Sequence, residues 1–283
     1  MIDPQSIMIL ALMLTNKCNF HCGHCMVNSS YDGEIASSSV IDKFIEMCSI
    51  WQPNHIYLLG GEVLLFPDIV ENIVNSIKDF SGEIVIFSNG SFLMNDEMVK
   101  RVESMPVTIR ISDDRFHRKF WSPSLKEKIE NSKYWIASRE ENYEMIPVGR
   151  AYEEFKHLQY NLGCSLLTGF YDSRYPNNHR AMVMMNGDVN LYCATIEASL
   201  ANVFEDDKIT YDLLVEREKI LHNYLARKVI SKYEDTYMAK LCNECPHYKV
   251  DARHIYYFDK IVADTSDFCF GFEKFQYDKC DKK

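Results

Sequence analysis

The sequence predicts an α/β protein, and three observations support this fold class. Short apolar runs alternate with amphipathic stretches up to residue 150, as strands and helices do in βα units. The first run, 6–15, is continuously apolar, which is typical of a strand buried on both faces. A chain of 283 residues with 47% hydrophobic and 25% charged residues can bury a full core. We therefore expect parallel strands with right-handed crossovers.

The predicted elements follow one another in regular order through the first half of the chain. Serines 37–39 supply N-cap candidates for the first helix, and Pro67 and Asp68 open the second. The predicted strands are 6–15, 55–60, 83–90, 106–112 and 143–149, and the predicted helices are 37–51, 67–80, 95–105 and 122–138.

Beyond residue 150 the alternation loosens. Residues 180–193 predict two short strands joined at the turn dipeptide Asn186–Gly187, and 212–230 predict a helix. We place a soft boundary near residue 175, which divides the chain into a first domain, 1–175, and a second domain, 176–283.

Charge and hydropathy exclude some classes of function. The net charge of −10 argues against a nucleic-acid-binding surface. No stretch approaches the roughly 20 apolar residues that a bilayer span needs, and the N-terminus carries Asp3 where a secretory signal carries Lys or Arg. We expect a cytoplasmic protein, in which the ten cysteines are metal ligands or free thiols rather than disulfides.

Three cysteines follow the first predicted strand with the spacing C-x3-C-x2-C. They are Cys18, Cys22 and Cys25. A structural zinc ion takes four protein ligands, so a zinc site here needs His21 or His24 as the fourth. A [4Fe-4S] cluster held by three cysteines instead leaves one iron open to another ligand. The spacing is compatible with either metal centre.

Glycine or polar residues stand where the next three strands end. A glycine pair at the second strand lets the backbone approach a ligand closely. The carboxyl ends of successive parallel strands are where α/β barrels assemble their sites. The residues are Gly60, Gly61 and Glu62, then Ser88 and Asn89, and then Ser112 and Asp113.

Together, these four features resemble the signature of the radical S-adenosylmethionine (SAM) superfamily. The resemblance covers about residues 6–150 and implies a partial (β/α)6 TIM-like barrel. It implies a cluster on the three cysteines that reductively cleaves SAM to a 5′-deoxyadenosyl radical. It further implies that Glu62 accepts hydrogen bonds from the SAM ammonium. Ser88 and Asn89 match the family's position for ribose or carboxylate contacts, and Ser112 or Asp113 is expected to contact the ribose hydroxyls. One departure is His24, which stands where the family commonly has an aromatic residue.

A second cysteine group resembles the SPASM and twitch auxiliary-cluster domains of this superfamily, and implies a small C-terminal α+β iron–sulfur extension. Its five cysteines are too few for two auxiliary clusters, so we expect one [4Fe-4S] cluster. We prefer Cys269 to Cys280 as the fourth ligand because Cys280 lies close to the chain end. A zinc knuckle that uses Cys269 or His247 is the alternative. The expected ligands are Cys193, Cys242, Cys245 and Cys269.

The loop after the fourth strand supplies candidate catalytic residues. Asp114, His117 and Arg118 could orient a polar substrate there, although a solvated loop is the alternative. Arg150 follows the fifth predicted strand and is expected to point toward the SAM carboxylate or the substrate.

The resemblance implies an iron–sulfur oxidoreductase with a flavodoxin- or ferredoxin-type electron donor. Only 17 residues precede Cys18, which we interpret as too few for a leader-peptide-binding module. We therefore expect a small polar substrate whose radical is oxidised by the auxiliary cluster. A peptide or protein substrate is the first alternative, and a non-catalytic zinc-binding protein is the second.

Overall fold

The computed structural model describes residues 7–25, 27–77, 80–138, 150, 178–191 and 200–217. Its strands are β1 (Ile7–Thr15), β2 (His55–Gly60), β3 (Glu83–Ser88), β4 (Thr108–Asp113), β5 (Trp135–Ser138), β6 (Asn178–Val183), β7 (Asp188–Asn190) and β8 (Ala201–Asn202). Its helices are α1 (Ser38–Trp51), α2 (Pro67–Ser76), α3 (Asp96–Glu103), α4 (Arg115–Arg118) and α5 (Pro123–Glu130), with 3-10 turns at Val63–Leu65 and Ser91–Met94.

The described strands form one eight-stranded sheet in the order β5-β4-β3-β2-β1-β6-β7-β8. All pairs from β5 to β6 across this order are parallel. The predicted α/β class is thereby confirmed. The predicted hairpin at Asn186–Gly187 is also confirmed, since β6 and β7 pair antiparallel and Gly187 adopts a φ of +90°.

The two faces of β1 pack into two different apolar clusters. Leu10, Leu12 and Leu14 are fully buried in the main core, which α1 and α2 cover with residues such as Phe44 and Ile73. The alternate residues Ala11 and Met13 belong to a second, smaller apolar cluster with Met182 of β6. Because side chains alternate along a strand, this second cluster lies on the opposite face of the sheet.

The predicted helix over 122–138 is wrong in its last part. Helix α5 ends at Glu130 with Asn131 as its C-cap, and Trp135–Ser138 form β5. Strand β5 pairs parallel with β4, with Trp135 opposite Arg110. Pairing with β4 satisfies the backbone N–H and C=O groups of this segment. With only four residues, the segment is too short for its hydropathy pattern to show a strand periodicity.

Several predicted elements lie wholly or partly outside the described residues. The predicted strand 143–149 and the domain boundary near 175 lie outside the described residues, although β6, which follows that boundary, joins the same sheet through β1. Of the helix predicted over 212–230, the described part is helical at 211–217. Within the described part of the chain, no helix has the length and apolar character of a bilayer span.

Candidate functional site

A cavity of about 420 Å³ lies over the inner face of the sheet, at the carboxyl ends of β1 to β4. Its floor is largely apolar, and its rim brings together most of the residues that the sequence singles out. The rim includes Cys18, Cys22, Cys25, Gly60, Gly61, Ser88, Asn89, Ser112, Asp114 and His117. Glu62, Asp113 and Arg150, which the sequence analysis also names, are not among its lining residues.

The loop of Cys18, Cys22 and Cys25 is held by backbone and thiol contacts. The amide of Cys25 donates to the carbonyl of Cys22 at 3.1 Å. The Cys18 Sγ accepts from the amide of Phe20 at 3.4 Å, and the Cys25 Sγ accepts from the amide of Ser29 at 3.3 Å. The loop therefore presents three thiols to one cavity, with amide donors directed at two of the sulfurs.

Burial raises the pKa of two of these thiols, Cys18 and Cys22. Desolvation raises the pKa of Cys18 to about 11. Desolvation raises the pKa of Cys22 further, and the negative charges of Cys18 and Asp114 act in the same direction. Without a metal centre the thiols of Cys18 and Cys22 are therefore protonated, and binding of a metal centre would release their protons. Three thiols on one cavity, two of them with N–H···S donors, fit a [4Fe-4S] cluster with three cysteine ligands.

The glycine pair packs against the chain that leads into the cysteine loop. Gly60 has a φ of +141°, and a Cβ there would lie 2.1 Å from the Thr15 carbonyl oxygen. A Cβ on Gly61 would lie 2.1 Å from the Lys17 carbonyl oxygen. The Gly61 amide donates to Thr15 O at 2.6 Å. Close approach of two backbones therefore requires glycine at both positions, whatever ligand they also face.

Glu62 is 1% exposed and bonded within the protein. Its carboxylate accepts from the Leu64 amide at 3.2 Å, the Ser88 hydroxyl at 3.0 Å and the Asn89 amide at 2.7 Å. Burial raises the pKa of Glu62 to about 7, although these donors oppose the shift. Glu62 therefore fixes the end of β3 below the cavity. Its contact with the SAM ammonium stays a prediction.

Asn19 is a residue of this site that the sequence analysis did not identify. Its Oδ1 accepts from Asn89 Nδ2 at 2.8 Å, and its Nδ2 donates to the Ser91 hydroxyl at 2.8 Å. Asn89 Nδ2 also lies 3.7 Å from Cys18 Sγ. Asn19 thus joins the cysteine loop to the end of β3, and its position between two cysteines is the only sequence signal for this role.

Asp114 organises the opposite rim. It is the N-cap of α4, where its Oδ1 accepts from the amides of Phe116 at 2.9 Å and His117 at 3.0 Å. Its Oδ2 lies 2.7 Å from His117 Nδ1 and 3.3 Å from His24 Nε2. Burial would raise the pKa of Asp114, but the hydrogen bonds and charges of His117 and His24 outweigh it and hold the pKa well below its usual range.

His24 connects this rim to the cysteine loop. Its ring stacks on Phe116 with centroids 4.5 Å apart and an angle of 16° between the planes. The His24 ring therefore packs on an aromatic side chain of the protein itself. The His24 Nδ1 is buried and has no hydrogen-bond partner among the described residues.

Three predicted site residues do not line the cavity and bond to other parts of the protein; they are Arg150, Asp113 and Arg118. The Arg150 guanidinium donates to Cys22 O at 2.8 Å and to Ser29 O, and its amide donates to Cys25 O at 2.9 Å. Asp113 pairs with Arg118 through distances of 2.5 and 3.0 Å. Arg150 thus braces the cysteine loop. Its contact with SAM or substrate, and that of Asp113 with ribose, stay predictions.

The fold and this site define an α/β domain with three cysteine thiols at the carboxyl edge of its sheet. Residues 12–148 match the family model of the radical SAM superfamily. This part of the chain is therefore a radical SAM superfamily domain, as the sequence motifs predict.

Three curated relatives show the range of proteins that this chain resembles. It is 26% identical over 140 residues to a putative peptide biosynthesis protein, YydG, of Bacillus subtilis, covering 44% of this chain and 41% of that protein. It is 28% identical over 90 residues to a probable GTP 3′,8-cyclase of Thermoplasma volcanium, covering 31% and 28%. It is 23% identical over 129 residues to a putative glycyl-radical enzyme activating enzyme of Methanocaldococcus jannaschii, covering 46% and 50%. The chain therefore spans half or less of the length of these relatives.

Two solved structures are similar to this chain at low sequence identity. BtrN in complex with AdoMet and 2-DOIA has a TM-score of 0.49 at 16% identity, covering 78% of this chain and 88% of that one. SuiB of Streptococcus suis, bound to the precursor peptide SuiA, has a TM-score of 0.46 at 14% identity, covering 74% and 64%. Likeness at this level carries no inference about the substrate of this chain.

The predicted auxiliary site lies outside the described residues. This applies to Cys193, Cys242, Cys245 and Cys269, and to the alternative ligands Cys280 and His247. The auxiliary cluster and the second domain therefore stay predictions.

Proposed function

We propose that this chain is a radical SAM oxidoreductase. The observation that carries the proposal is the placing of three thiols on one cavity at the carboxyl edge of the sheet, beside the glycine pair and the polar ends of β3 and β4. In the proposed enzyme, Cys18, Cys22 and Cys25 hold a [4Fe-4S] cluster. When bound, the cluster and SAM supply a 5′-deoxyadenosyl radical that removes a hydrogen atom from the substrate.

The chain itself positions these groups and keeps water from them. Arg150 and the Asn19–Asn89 pair hold the cysteine loop from two sides. Ser88 and Ser112 line the cavity wall, where we propose that they contact SAM, although the Ser88 hydroxyl already donates to Glu62. The floor below them is formed by apolar side chains, which exclude water from the reacting atoms. These side chains are Ile9, Ala11, Tyr57, Leu59, Phe87 and Met182.

The proposed substrate is a small polar molecule. Asp114 and His117 face the cavity as a hydrogen-bonded pair, and Arg180 adds a cationic side chain to the lining. Such groups bind hydroxyl, amino or carboxylate groups rather than hydrocarbon. In this proposal Cys193, Cys242, Cys245 and Cys269 would hold an auxiliary [4Fe-4S] cluster, which would supply an electron acceptor for the substrate radical. A flavodoxin- or ferredoxin-type protein would be the electron donor.

A peptide substrate is the second candidate. The observation that favours it is the similarity over 140 residues to a relative named as a putative peptide biosynthesis protein. The same polar rim would then bind a peptide side chain or backbone. Comparing SAM turnover with small polyols and with peptides separates the two candidates, because only the true substrate class should increase it.

Anaerobic reconstitution tests the proposed function. Wild-type protein incubated with iron and sulfide should take up about eight irons per chain, four for each cluster, and should form 5′-deoxyadenosine from SAM under reduction. Cys22→Ala should lose about four irons and all SAM cleavage. Cys48→Ala, at a buried cysteine of α1 outside the cavity, is the matched control and should retain both. Wild-type protein that takes up iron without cleaving SAM would refute the proposal.

A further inference from the structure

A second group of metal-binding atoms lies inside the cavity rim. Cys22, His24 and His117 each offer one ligand atom, and these three atoms lie within 4.8 Å of one another. Cys22 is buried and the two histidines are half-buried. This set shares only Cys22 with the three-cysteine site.

Asp114 occupies one nitrogen of each ring and leaves the other available. It bonds to His117 Nδ1 and to His24 Nε2, so the remaining atoms are His117 Nε2 and His24 Nδ1. The His24 Nδ1 is buried without a hydrogen-bond partner among the described residues, which is costly unless another group binds it. A carboxylate on the far nitrogen of a metal-binding histidine is the usual way in which proteins orient such a ring.

We propose that the cluster-free protein binds one Zn²⁺ ion through Cys22 Sγ, His24 Nδ1 and His117 Nε2. One thiolate and two imidazoles suit zinc, and the fourth position would be filled by water. Tetrahedral zinc places such donors roughly 3.3–3.6 Å apart. Each of the three residues has a ligand atom within 4.8 Å of those of the other two, so side-chain rotations, including a turn of an imidazole ring, are sufficient to close the site. Binding converts the Cys22 thiol to a thiolate and releases its proton to water.

This site differs from the zinc site considered from the sequence alone. That site combines three cysteines with His21 or His24. The present site uses one cysteine, Cys22, together with His24 and with His117 of α4. If the proposed function holds, zinc and the cluster compete for the Cys22 sulfur. Zinc would then keep the cluster-free protein from assembling its cluster until the zinc ion is removed. Zinc binding itself does not depend on the proposed function.

Thiol alkylation read by mass spectrometry tests the site in the full chain. Metal-free, reduced protein is treated with iodoacetamide with and without added Zn²⁺, and the labelling rate of each cysteine is followed separately. We expect zinc to slow labelling of Cys22 at least about tenfold, because a metal-bound thiolate is a poor nucleophile. Cys18 and Cys25 should keep their rates, and Cys48 serves as an internal control.

Variants separate this site from other zinc sites on the chain. His117→Ala should abolish the protection of Cys22, and His24→Phe should do so while keeping a ring against Phe116. Asp114→Asn should weaken zinc binding by about 10–100-fold. Equal protection of Cys18, Cys22 and Cys25 in wild type and both histidine variants, or no protection of Cys22, would overturn the inference. Failure of the wild type to take up iron would instead count against the proposed function.

Discussion

Two buried carboxylates beside the cavity have opposite electrostatics. Glu62, at the ends of β2 and β3, accepts hydrogen bonds from neutral donors, and its pKa rises to about 7 because it is buried. Asp114, at the start of α4, is also buried, yet its pKa lies below the usual range because two histidines contact it. Burial alone therefore does not decide the charge of a carboxylate here, because contact with the two histidines lowers the pKa of Asp114 in spite of its burial.

The two regions are also built differently. Around Glu62 the glycine pair touches the backbone of Thr15 and Lys17, so the region has no free space. Around Asp114 one carboxylate oxygen caps α4, and the contacts with His24 and His117 are between side chains, which can move by rotation. We infer that the Glu62 region is a rigid support for the cysteine loop. In the Asp114 region, by contrast, side chains can change their hydrogen-bond partners without a change in the fold.

The largest expected effect is in the rigid region. Gly60→Ala adds a methyl group 2.1 Å from the Thr15 carbonyl oxygen at a φ of +141°. It should lower the free energy of unfolding, measured in urea, by about 3 kcal/mol or more. Gly90→Ala is the matched control, since its φ of +83° is unfavourable but its nearest atoms belong to the side chains of Ile129 and Ile111 at 3.0 and 3.1 Å. Gly90→Ala should lower the free energy of unfolding by about 1–2 kcal/mol. Equal losses would contradict the distinction between the two regions.

The pH dependence of stability tests the Glu62 environment. A carboxyl group with a raised pKa binds a proton more tightly in the folded state, so its contribution is greatest below its unfolded pKa of 4.5 and is lost as pH rises through about 7. Wild type should lose up to about 3 kcal/mol across this window relative to Glu62→Gln, which cannot titrate. Urea unfolding at several pH values measures the difference. A constant difference between wild type and variant would show that Glu62 is not perturbed.

The smallest effect is expected at Asp114. Asp114→Asn keeps an N-cap side chain for α4 but loses its charge, so it should cost about 1 kcal/mol at neutral pH. Because the pKa of Asp114 is lowered, this contribution should be present above its unfolded pKa and should vanish as pH falls. Asp114→Ala also removes the cap and should cost about 1 kcal/mol more. A loss at Asp114→Asn as large as that of Gly60→Ala would contradict the proposed order.

The sequence predicts the framework of this molecule well, since β1 to β4 and their helices have clear periodicity and capping residues. It fails at β5, because four residues are too few to show a strand periodicity, and Asn131, the C-cap of α5, is a weak stop signal until pairing with β4 is known. The wrong helix thus reflects a tertiary contact that local sequence does not encode.

The side-chain network of the site is the other part that sequence could not supply. The strand-end motifs correctly identify which loops meet, but the His24–Asp114 contact joins two loops far apart in the chain. The direction of Glu62 depends on the 3-10 turn Val63–Leu65, where Glu62 is the N-cap. A sequence motif thus indicates which loop a residue lies on. The hydrogen bonds that the residue makes depend on the folded backbone around it.

EPR of the reduced, reconstituted protein tests the central claim most directly, namely that Cys18, Cys22 and Cys25 leave one iron open to SAM. The account predicts that SAM changes the spectrum and that an isotopic label on its amino nitrogen adds a hyperfine coupling. Cys22→Ala should lose this response and Cys48→Ala should keep it. A wild-type spectrum that SAM leaves unchanged would contradict the account.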